Sequence, residues 1–169
     1  MEPRKRSMAP VGAPRPALLL LGSLPGEASL KAQRYYAHPH NQFWRLVGGA
    51  LGELLAALDY DERLARLAAR QVALWDVIGE AKRVGSLDGA LREVSVNRLA
   101  DFAACQPQLR AIGFNGLTAA KLGRRGLGKT KLVLIDLPSS SPAYTLAFDD
   151  KAMRWSALAN FARAATLGR

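Results

Sequence analysis

The run Ala17-Leu18-Leu19-Leu20-Leu21, set between Pro16 and Gly22, decides the fold class because it is apolar at every position. A strand with one face in water alternates apolar and polar residues, whereas a strand covered on both faces is apolar throughout. The run therefore predicts a strand buried on both faces. Three further runs have the same character: Val72-Ala73-Leu74-Trp75, Ala111-Ile112-Gly113-Phe114 and Leu132-Val133-Leu134-Ile135.

Amphipathic helical patterns separate these runs. Apolar residues recur at steps of three and four through residues 42–58, which predicts one long helix there. Asp61, Asn97 and Asp149 are placed to cap three shorter helices. Because helices alternate with strands that are apolar throughout, the sequence predicts an α/β fold in which helices cover both faces of a parallel sheet.

Length and composition indicate one domain with a sizeable core. The chain has 169 residues, of which 49% are hydrophobic and 22% are charged, and this excludes a wholly disordered chain. Cys105 is the single cysteine, and His38 and His40 are the two histidines. We therefore expect no disulfide within the chain, no thiolate zinc or iron–sulfur site and no His-rich metal site. Neither a metal nor a cofactor is predicted.

The net charge of +10 favours a polyanionic partner, because each cation placed on a phosphate releases a condensed counterion. Residues 1–16 contain four prolines and four basic residues. They are interpreted as a flexible basic arm before a single domain over residues 17–169. The apolar runs are far shorter than the roughly 18 residues of a membrane span, and the opening residues lack the apolar segment of a signal peptide. We therefore expect a cytoplasmic protein.

The segment Gly123-Arg124-Arg125-Gly126-Leu127-Gly128-Lys129-Thr130 matches the phosphate-loop pattern of nucleotide-binding enzymes. Such a loop requires a strand before it and a helix after it, so that the helix N-terminus meets the phosphates. Here a helical stretch comes first and an apolar strand follows, so a nucleotide hydrolase is disfavoured. Arg124 and Arg125 are interpreted as contacts to a nucleic-acid backbone or, alternatively, as part of a solvated basic loop.

The segment Tyr35–Trp44 combines four aromatic rings, two imidazoles and two amides. Aromatic rings stack on a nucleobase while amides hydrogen-bond its edge, so this segment is a candidate base pocket. Tyr36, His38 and Asn41 precede the predicted helix and are placed to face such a pocket, whereas Phe43 begins the apolar stripe of the helix. The alternative is that Asn41 is only the N-cap of that helix.

Ligands of parallel α/β sheets bind beyond the carboxyl ends of the strands. The loops there begin at Gly22, Asp76, Asn115 and Asp136. The first and last loops are rich in Gly, Pro and Ser, which offer N–H groups and hydroxyls to a phosphate, although ordinary turns have the same composition. Asp76 is interpreted as a general base or, more simply, as a helix cap.

Four motifs, taken in order, resemble those of the uracil-DNA glycosylase superfamily. They are Gly22-Ser23-Leu24-Pro25-Gly26, Tyr36-Ala37-His38-Pro39-His40-Asn41-Gln42-Phe43-Trp44, Phe114-Asn115-Gly116 and Leu137-Pro138-Ser139-Ser140-Ser141-Pro142-Ala143. The resemblance is narrower to the hypoxanthine-DNA (deoxyinosine) glycosylase branch and covers residues 17–165. It implies a three-layer α/β/α sandwich on a four-stranded parallel sheet, with the site at the carboxyl ends of the strands.

The resemblance also implies that Asn41 is the catalytic residue, and its carbonyl is predicted to orient a water molecule towards C1′ of the sugar. Leu24 stands where many relatives carry an Asn or Asp in the first loop. Leu137 begins the last loop, where uracil-specific relatives carry His or Asn. These two departures argue against efficient removal of uracil.

The remaining site residues are assigned from the same resemblance and from the chemistry of base extrusion. Contacts to the base are predicted for Ser23, Leu24, Tyr36, His38, Phe43 and Asn115. Contacts to the DNA backbone or insertion into the base stack are predicted for Pro25, Gly26, Ser139, Ser140, Ser141, Pro142, Tyr144, Arg124 and Arg125. Asn115 is alternatively a turn residue, and Tyr144 alternatively only packs.

The sequence therefore predicts a monomeric, monofunctional DNA glycosylase that flips hypoxanthine out of DNA and excises it, without a cofactor. Two alternatives stay open. One is a uracil or broader deaminated-base DNA glycosylase, and the other is a non-catalytic nucleic-acid-binding domain.

Overall fold

The computed structural model describes residues 2–165, in which strands alternate with helices. The strands are β1 (Arg4–Arg6), β2 (Val11–Gly12), β3 (Leu18–Gly22), β4 (Val72–Asp76), β5 (Ile78–Lys82), β6 (Arg92–Val96), β7 (Ala111–Asn115) and β8 (Val133–Leu137). The α-helices are α1 (Glu27–Ala32), α2 (Phe43–Leu51), α3 (Tyr60–Ala69), α4 (Leu99–Ala104), α5 (Leu117–Leu127) and α6 (Phe148–Trp155). Short 3₁₀ helices cover Leu55–Ala57, Asp88–Ala90 and Ser156–Asn160. Met1, assigned to the predicted arm, and residues 166–169, assigned to the predicted domain, lie outside the described residues.

Four parallel strands form the centre of the molecule in the spatial order β4-β3-β7-β8. Each of them overlaps one of the predicted apolar runs, so the prediction of a four-stranded parallel sheet is confirmed. The two-residue strand β2 extends the sheet antiparallel to β4, where Val11 pairs with Leu74. The sheet therefore has five strands, of which four are parallel.

Helices cover both faces of this sheet, as the apolar strands predicted. Leu18 and Leu20 pack with α2, α3 and α6 on one face. Leu19 and Leu21 pack with α4 and α5 on the other. Successive side chains of a strand point to opposite faces, and the four leucines are at most 1% exposed. The three-layer α/β/α sandwich is therefore confirmed.

The predicted long helix over residues 42–58 is shorter than expected. It ends at Leu51 because Gly52 takes a left-handed conformation with φ of 70°, and the N–H of Gly52 donates to the last carbonyls of α2. Leu54 consequently lies outside the core and is 86% exposed. Every helix within residues 2–165 falls short of the length and apolar character that a membrane crossing requires.

None of the three predicted caps closes its helix. Asp59 caps α3 in place of Asp61 and accepts the N–H of Glu62 at 2.9 Å. Asn97 instead donates from Nδ2 to the carbonyl of Asp76 at 2.8 Å, and Asp149 lies within the first turn of α6. Several polar residues lie close together in sequence near the start of each helix. The apolar periodicity therefore predicted where the helices lie, but not which polar residue caps each of them.

The N-terminal segment pairs with strands over part of its length and is not a flexible arm there. Strand β1 pairs antiparallel with β5, and β5 pairs with β6, so these strands form a second sheet of three strands. Lys5 Nζ donates to Glu27 Oε1 at 3.0 Å and to the carbonyl of Gly85 at 2.5 Å. Strands of two and three residues are too short for a period to show in the sequence, and this is why they were missed.

Candidate active site

A cavity of about 490 Å³ opens at the carboxyl ends of β3, β4 and β7. This volume lies within the about 300–1,000 Å³ that is typical of small-molecule sites. Of the predicted site residues, the cavity wall contains Ser23, Leu24, Pro25, Gly26, Tyr36, His38, Asn41, Asn115, Ser139, Ser140, Ser141, Pro142 and Tyr144. The four sequence motifs therefore meet in one place.

A chain of hydrogen bonds joins Asn41, Ser140 and Asn115. Asn115 Nδ2 donates to Ser140 Oγ at 2.8 Å, and Ser140 Oγ donates to Asn41 Oδ1 at 2.8 Å. The backbone N–H of Ser140 donates to Asn115 Oδ1 at 2.9 Å. These bonds connect three loops that are distant in sequence and hold both carboxamides in fixed orientations.

Asn41 combines a structural bond with a place on the cavity wall. The N–H of Phe43 donates to Asn41 Oδ1 at 3.0 Å, beside the bond from Ser140. A carbonyl oxygen has two lone pairs, so both are in use and Nδ2 is the free group of this amide. The predicted water contact through the carbonyl therefore needs correction, because it is the N–H donors of Asn41 that are available.

Phe43 supports the cavity from beneath and does not line it. Its ring is fully buried and stacks under the ring of Tyr36, with 3.7 Å between centroids and 9° between planes. On its other side it meets the edge of Trp155, with centroids 5.7 Å apart. The predicted contact of Phe43 with the base is therefore wrong, because the first residue of α2 points into the core. Of the two stacked rings, only Tyr36 lines the cavity.

Phe43→Ala is expected to lower the free energy of unfolding by about 3–5 kcal/mol, because it opens a void under Tyr36. Urea unfolding followed by tryptophan fluorescence measures this loss. Phe148→Ala is the matched control, since Phe148 is only half-buried and lies under Arg45. Equal losses in the two variants would contradict a central packing role for Phe43.

Asp76 lies at the base of the cavity, at the end of β4. None of the four motifs contains this residue. Its side chain is 3% exposed, and Oδ2 accepts the hydroxyl of Ser7 at 3.0 Å. A Cβ on Gly22 would lie 2.8 Å from Asp76 Oδ1 and 2.9 Å from Tyr36 Oη. The absence of a side chain at Gly22 therefore leaves space between these two oxygens. The signal in the sequence was a carboxylate directly after an apolar strand.

The buried position of Asp76 favours its neutral form. Burial raises the pKa of Asp76 to about 7, although the hydroxyl of Ser7 and the charge of Arg83 act in the opposite direction. Burial also raises the pKa of Tyr36 above its usual value, so its phenol stays protonated. Near neutral pH the phenol of Tyr36 therefore carries its proton, and the carboxyl group of Asp76 is divided between its acid and carboxylate forms.

The turn after β5 forms a wall of the cavity that the sequence did not predict. Arg83 is fully buried and donates to the carbonyls of Leu24 at 3.3 Å and of Pro25. Ser23 Oγ donates to Asp88 Oδ1 at 2.7 Å. Hydrogen bonds between this turn and Ser23, Leu24 and Pro25 therefore hold the motif Gly22–Gly26 in place.

The last motif is held by a buried amine. Lys151 is 1% exposed, and its Nζ donates to Gln42 Oε1 at 2.9 Å and to the carbonyl of Tyr144 at 2.8 Å. Burial lowers the pKa of Lys151. Trp155 Nε1 fixes the start of the same loop by donating to the carbonyl of Pro138 at 2.9 Å.

The three serines of this loop differ in their surroundings. Ser139 Oγ and Ser141 Oγ each accept a backbone N–H, at 3.1 and 3.2 Å, which leaves their own protons free to donate. Ser140 is 1% exposed and its hydroxyl is occupied between the two amides. The predicted phosphate contact of Ser140 is therefore replaced by a bridging role. Tyr144 is 45% exposed at the rim.

The comparisons with known proteins agree with this arrangement. The family model described as the Uracil DNA glycosylase superfamily matches residues 9–162. The chain belongs to this superfamily. Two relatives are both named hypoxanthine DNA glycosylase. The protein from Methanosarcina acetivorans is 38% identical over 144 residues, which cover 83% of this chain and 89% of the relative. The protein from Methanosarcina barkeri is 33% identical over 156 residues, covering 90% and 96%.

A solved structure supports the membership in three dimensions. The solution NMR structure of a candidate uracil DNA glycosylase from Methanosarcina acetivorans matches with a TM-score of 0.80 and 36% identity. The match covers 92% of this chain and 96% of the solved chain. The resemblance recognised in the sequence is therefore confirmed, and so is the α/β/α fold of this glycosylase superfamily member.

Arg124 and Arg125 lie in the last turn of α5, away from the wall of the glycosylase cavity. Arg124 donates to Asp136 Oδ1 at 3.0 Å. The segment that mimics a phosphate loop is the end of a helix followed by a turn at Gly128 and then β8, as the sequence order predicted. The backbone contacts of the two arginines stay a prediction. Within residues 2–165, no group of three or more His, Cys, Asp or Glu side chains is arranged to hold a metal ion.

Proposed function

We propose that this superfamily member is a DNA glycosylase that removes hypoxanthine from deoxyinosine in DNA and leaves an abasic site. The two relatives at 38% and 33% identity carry that name. The observation that carries the proposal is the chain of hydrogen bonds from Asn115 through Ser140 to Asn41 on the wall of the cavity. We also propose that the enzyme acts as a monomer, because one chain supplies the groups that line the cavity. Since its proposed substrate is DNA, we propose that it acts in the cytoplasm.

Carboxamide side chains held in fixed orientations suit the chemistry of this reaction. Cleavage of the C1′–N9 bond builds positive charge on the sugar and negative charge on the base, so groups already aimed at those charges supply most of the catalysis. Asn41 Nδ2 is free to hydrogen-bond the oxygen of a water molecule and hold it towards C1′. Because Phe43 and Ser140 fix Asn41 Oδ1, this donor does not reorient during the reaction.

Access to the base requires flipping it out of the duplex, at a cost of a few kcal/mol that is lowest for a mispaired base. The hydroxyls of Ser139 and Ser141 lie at the cavity wall and keep a proton to donate, which supports contacts from them to the flanking phosphates. The exposed ring of Tyr144 lies at the rim, which supports its insertion into the gap that the flipped base leaves in the stack. The +10 net charge supports binding to the backbone.

The direct test incubates the purified protein with end-labelled duplexes that each carry one inosine, uracil or xanthine, followed by alkali to cleave abasic sites. We expect cleavage at inosine and much slower release of uracil. Faster release of uracil or xanthine would support the broader deaminated-base glycosylase. Binding without any release would support a non-catalytic DNA-binding domain.

Replacement of Arg124 and Arg125 by Gln is expected to weaken duplex binding without changing the rate of release from the saturated enzyme. When the logarithm of the association constant is plotted against the logarithm of the salt concentration, each lost phosphate contact reduces the steepness of the slope by about 1. Fluorescence anisotropy over a salt series measures this slope. Arg66→Gln is the control, because Arg66 lies on α3 in the opposite helical layer and pairs with Glu53. Equal slopes in all three proteins would remove the two arginines from the DNA-binding surface.

A further inference from the structure

We propose that Asp76 is a second catalytic residue. Its neutral carboxyl group donates a proton to N7 of hypoxanthine as the base leaves. The hydroxyl of Tyr36 lies beside it and donates a hydrogen bond to O6. This inference rests on the proposed function, because it assigns a step of the same reaction. It concerns two oxygens at the base of the cavity that the hydrogen-bonded chain from Asn115 to Asn41 does not use.

The placement of the two oxygens carries the proposal. Asp76 Oδ1 and Tyr36 Oη both lie within 3 Å of one point, the position that a Cβ would take on Gly22, at 2.8 and 2.9 Å. Tyr36 Oη is buried and has no hydrogen-bond partner among residues 2–165. A buried hydroxyl without a partner is unfavourable, so a ligand that accepts from it is favoured.

The edge of hypoxanthine that carries O6 and N7 matches this pair of donors. In guanine, which has the same atoms on this edge, O6 and N7 are two adjacent acceptors. Adenine places an N6 amino donor beside N7, so one of the two contacts becomes a clash of donors. Uracil has no ring nitrogen on the corresponding edge. The donor pair therefore favours a 6-oxopurine over both bases.

The protonation of Asp76 is controlled by the groups that face it. Burial favours the neutral acid, and the negative charge of Asp88 acts in the same direction. The positive charge of Arg83 and the hydroxyl of Ser7 favour the carboxylate, and the resulting pKa is about 7. Tyr35 and Tyr36, which face Asp76 from the segment after α1, have raised pKa values through burial and stay neutral. The acid form is therefore well populated at and below neutral pH.

The proton transfer balances as a hydrolysis. The proton moves from Asp76 Oδ1 to N7, and the electron pair of the C1′–N9 bond moves into the purine ring. The oxygen of water bonds to C1′, and the proton that it releases returns through solvent to the Asp76 carboxylate. One water molecule is consumed, and neutral hypoxanthine and an abasic sugar are formed.

Ser7 is the positioning residue for this step. Its hydroxyl lies 3.0 Å from Asp76 Oδ2 and 3.2 Å from the carbonyl of Met8. When this hydroxyl donates to Oδ2, the proton of the carboxylic acid is left on the other oxygen, Oδ1. The backbone of Ser7 is itself anchored, because its N–H donates to the carbonyl of Gly79 at 2.8 Å. The connection between β1 and β2 therefore contributes to the site although it lies outside all four motifs.

The test measures single-turnover release of hypoxanthine from an inosine duplex at saturating protein, from about pH 5 to about pH 9. In the wild-type protein we expect the rate to fall as pH rises through about 7, because the acid form is lost. Asp76→Asn keeps the shape and the neutral charge but has no proton to transfer. We expect it to be slower by about a hundredfold or more and to lose this fall with pH.

Two further measurements do not depend on the Asp76 variant. Ser7→Ala removes a donor to the carboxylate, so the pKa of Asp76 rises and the fall in rate is expected to move to higher pH. A duplex with 7-deaza-deoxyinosine lacks N7, and the wild-type protein is expected to release that base about a hundredfold more slowly.

The outcomes separate the two proposals. If the wild-type protein releases hypoxanthine and Asp76→Asn does so at a similar rate with the same pH profile, Asp76 is not the acid and the glycosylase proposal stands. Release of the 7-deaza base at the normal rate has the same consequence. If the wild-type protein releases no hypoxanthine from any duplex, both proposals are overturned.

Discussion

Asn41→Ala is expected to slow the single-turnover release of hypoxanthine by about a hundredfold to a thousandfold, the usual effect of removing one fixed donor from a transition state. Duplex affinity is expected to change little, because Asn41 lies in the cavity wall and not on the surface that meets the phosphates. Rates come from gel analysis after alkali treatment, and affinities come from anisotropy with the same duplex.

Asn41→Asp separates the catalytic role of Asn41 from the structural bonds that its side-chain oxygen accepts. The aspartate keeps an oxygen that accepts the N–H of Phe43 and the hydroxyl of Ser140, but it loses the N–H donors of Asn41 Nδ2. We expect the rate to fall in both variants. Only Asn41→Ala is also expected to lose about 1 kcal/mol of unfolding free energy, as for a lost helix cap. A fully active Asn41→Asp would show that release does not need the N–H donors of Asn41 Nδ2, and this would contradict the role proposed for them.

The parallel sheet could be predicted from the sequence because burial on both faces leaves a direct signal. No position of Leu18–Leu21 can be polar when both faces are covered. The run at β8 is an exception, because this strand lies at the edge of the sheet and Val133 is 46% exposed although the run is apolar throughout. The antiparallel strands leave no such signal. Strand β6 is exposed along its whole length, and β1 and β2 are only three and two residues long.

The residues of the cavity were largely predictable because loops after parallel strands meet at one edge of the sheet. Their individual orientations were not. Tyr36 and Phe43 are both aromatic and seven positions apart, and only the packing decides that one ring reaches the cavity while the other supports it. Ser139 and Ser140 are likewise adjacent, yet the buried hydroxyl of Ser140 bridges two amides. Such choices depend on contacts between distant segments, which a local pattern does not contain.

The protonation of Asp76 could not be predicted from the sequence either. A single carboxylate after a strand is usually a cap or a solvated group, and its sequence context is unremarkable. Its function in the site depends on burial and on Ser7, which is 69 positions away in the chain. Neither feature can be inferred before the fold is known.

Gly22→Ala is expected to reduce hypoxanthine release by about a hundredfold, since displacement of reacting groups by about 1 Å has an effect of this size. The new methyl group would lie 2.8 Å from Asp76 Oδ1 and 2.9 Å from Tyr36 Oη, so both side chains must move. It would also fill the space that lies between them. The measurement is the single-turnover rate, together with urea unfolding to establish that the variant is folded.

Gly49→Ala is the matched control for this substitution. Gly49 lies in α2, and a Cβ there has no atom within 4 Å. Alanine in a helix is favoured over glycine by about 0.5–1 kcal/mol, so this variant should be slightly more stable and fully active. Because the two substitutions add the same methyl group, a loss of activity in Gly22→Ala alone would show that release depends on the arrangement of Asp76 and Tyr36 around Gly22. Normal activity in both variants would show that the base binds elsewhere in the cavity, which would also remove the geometric basis for proton donation by Asp76.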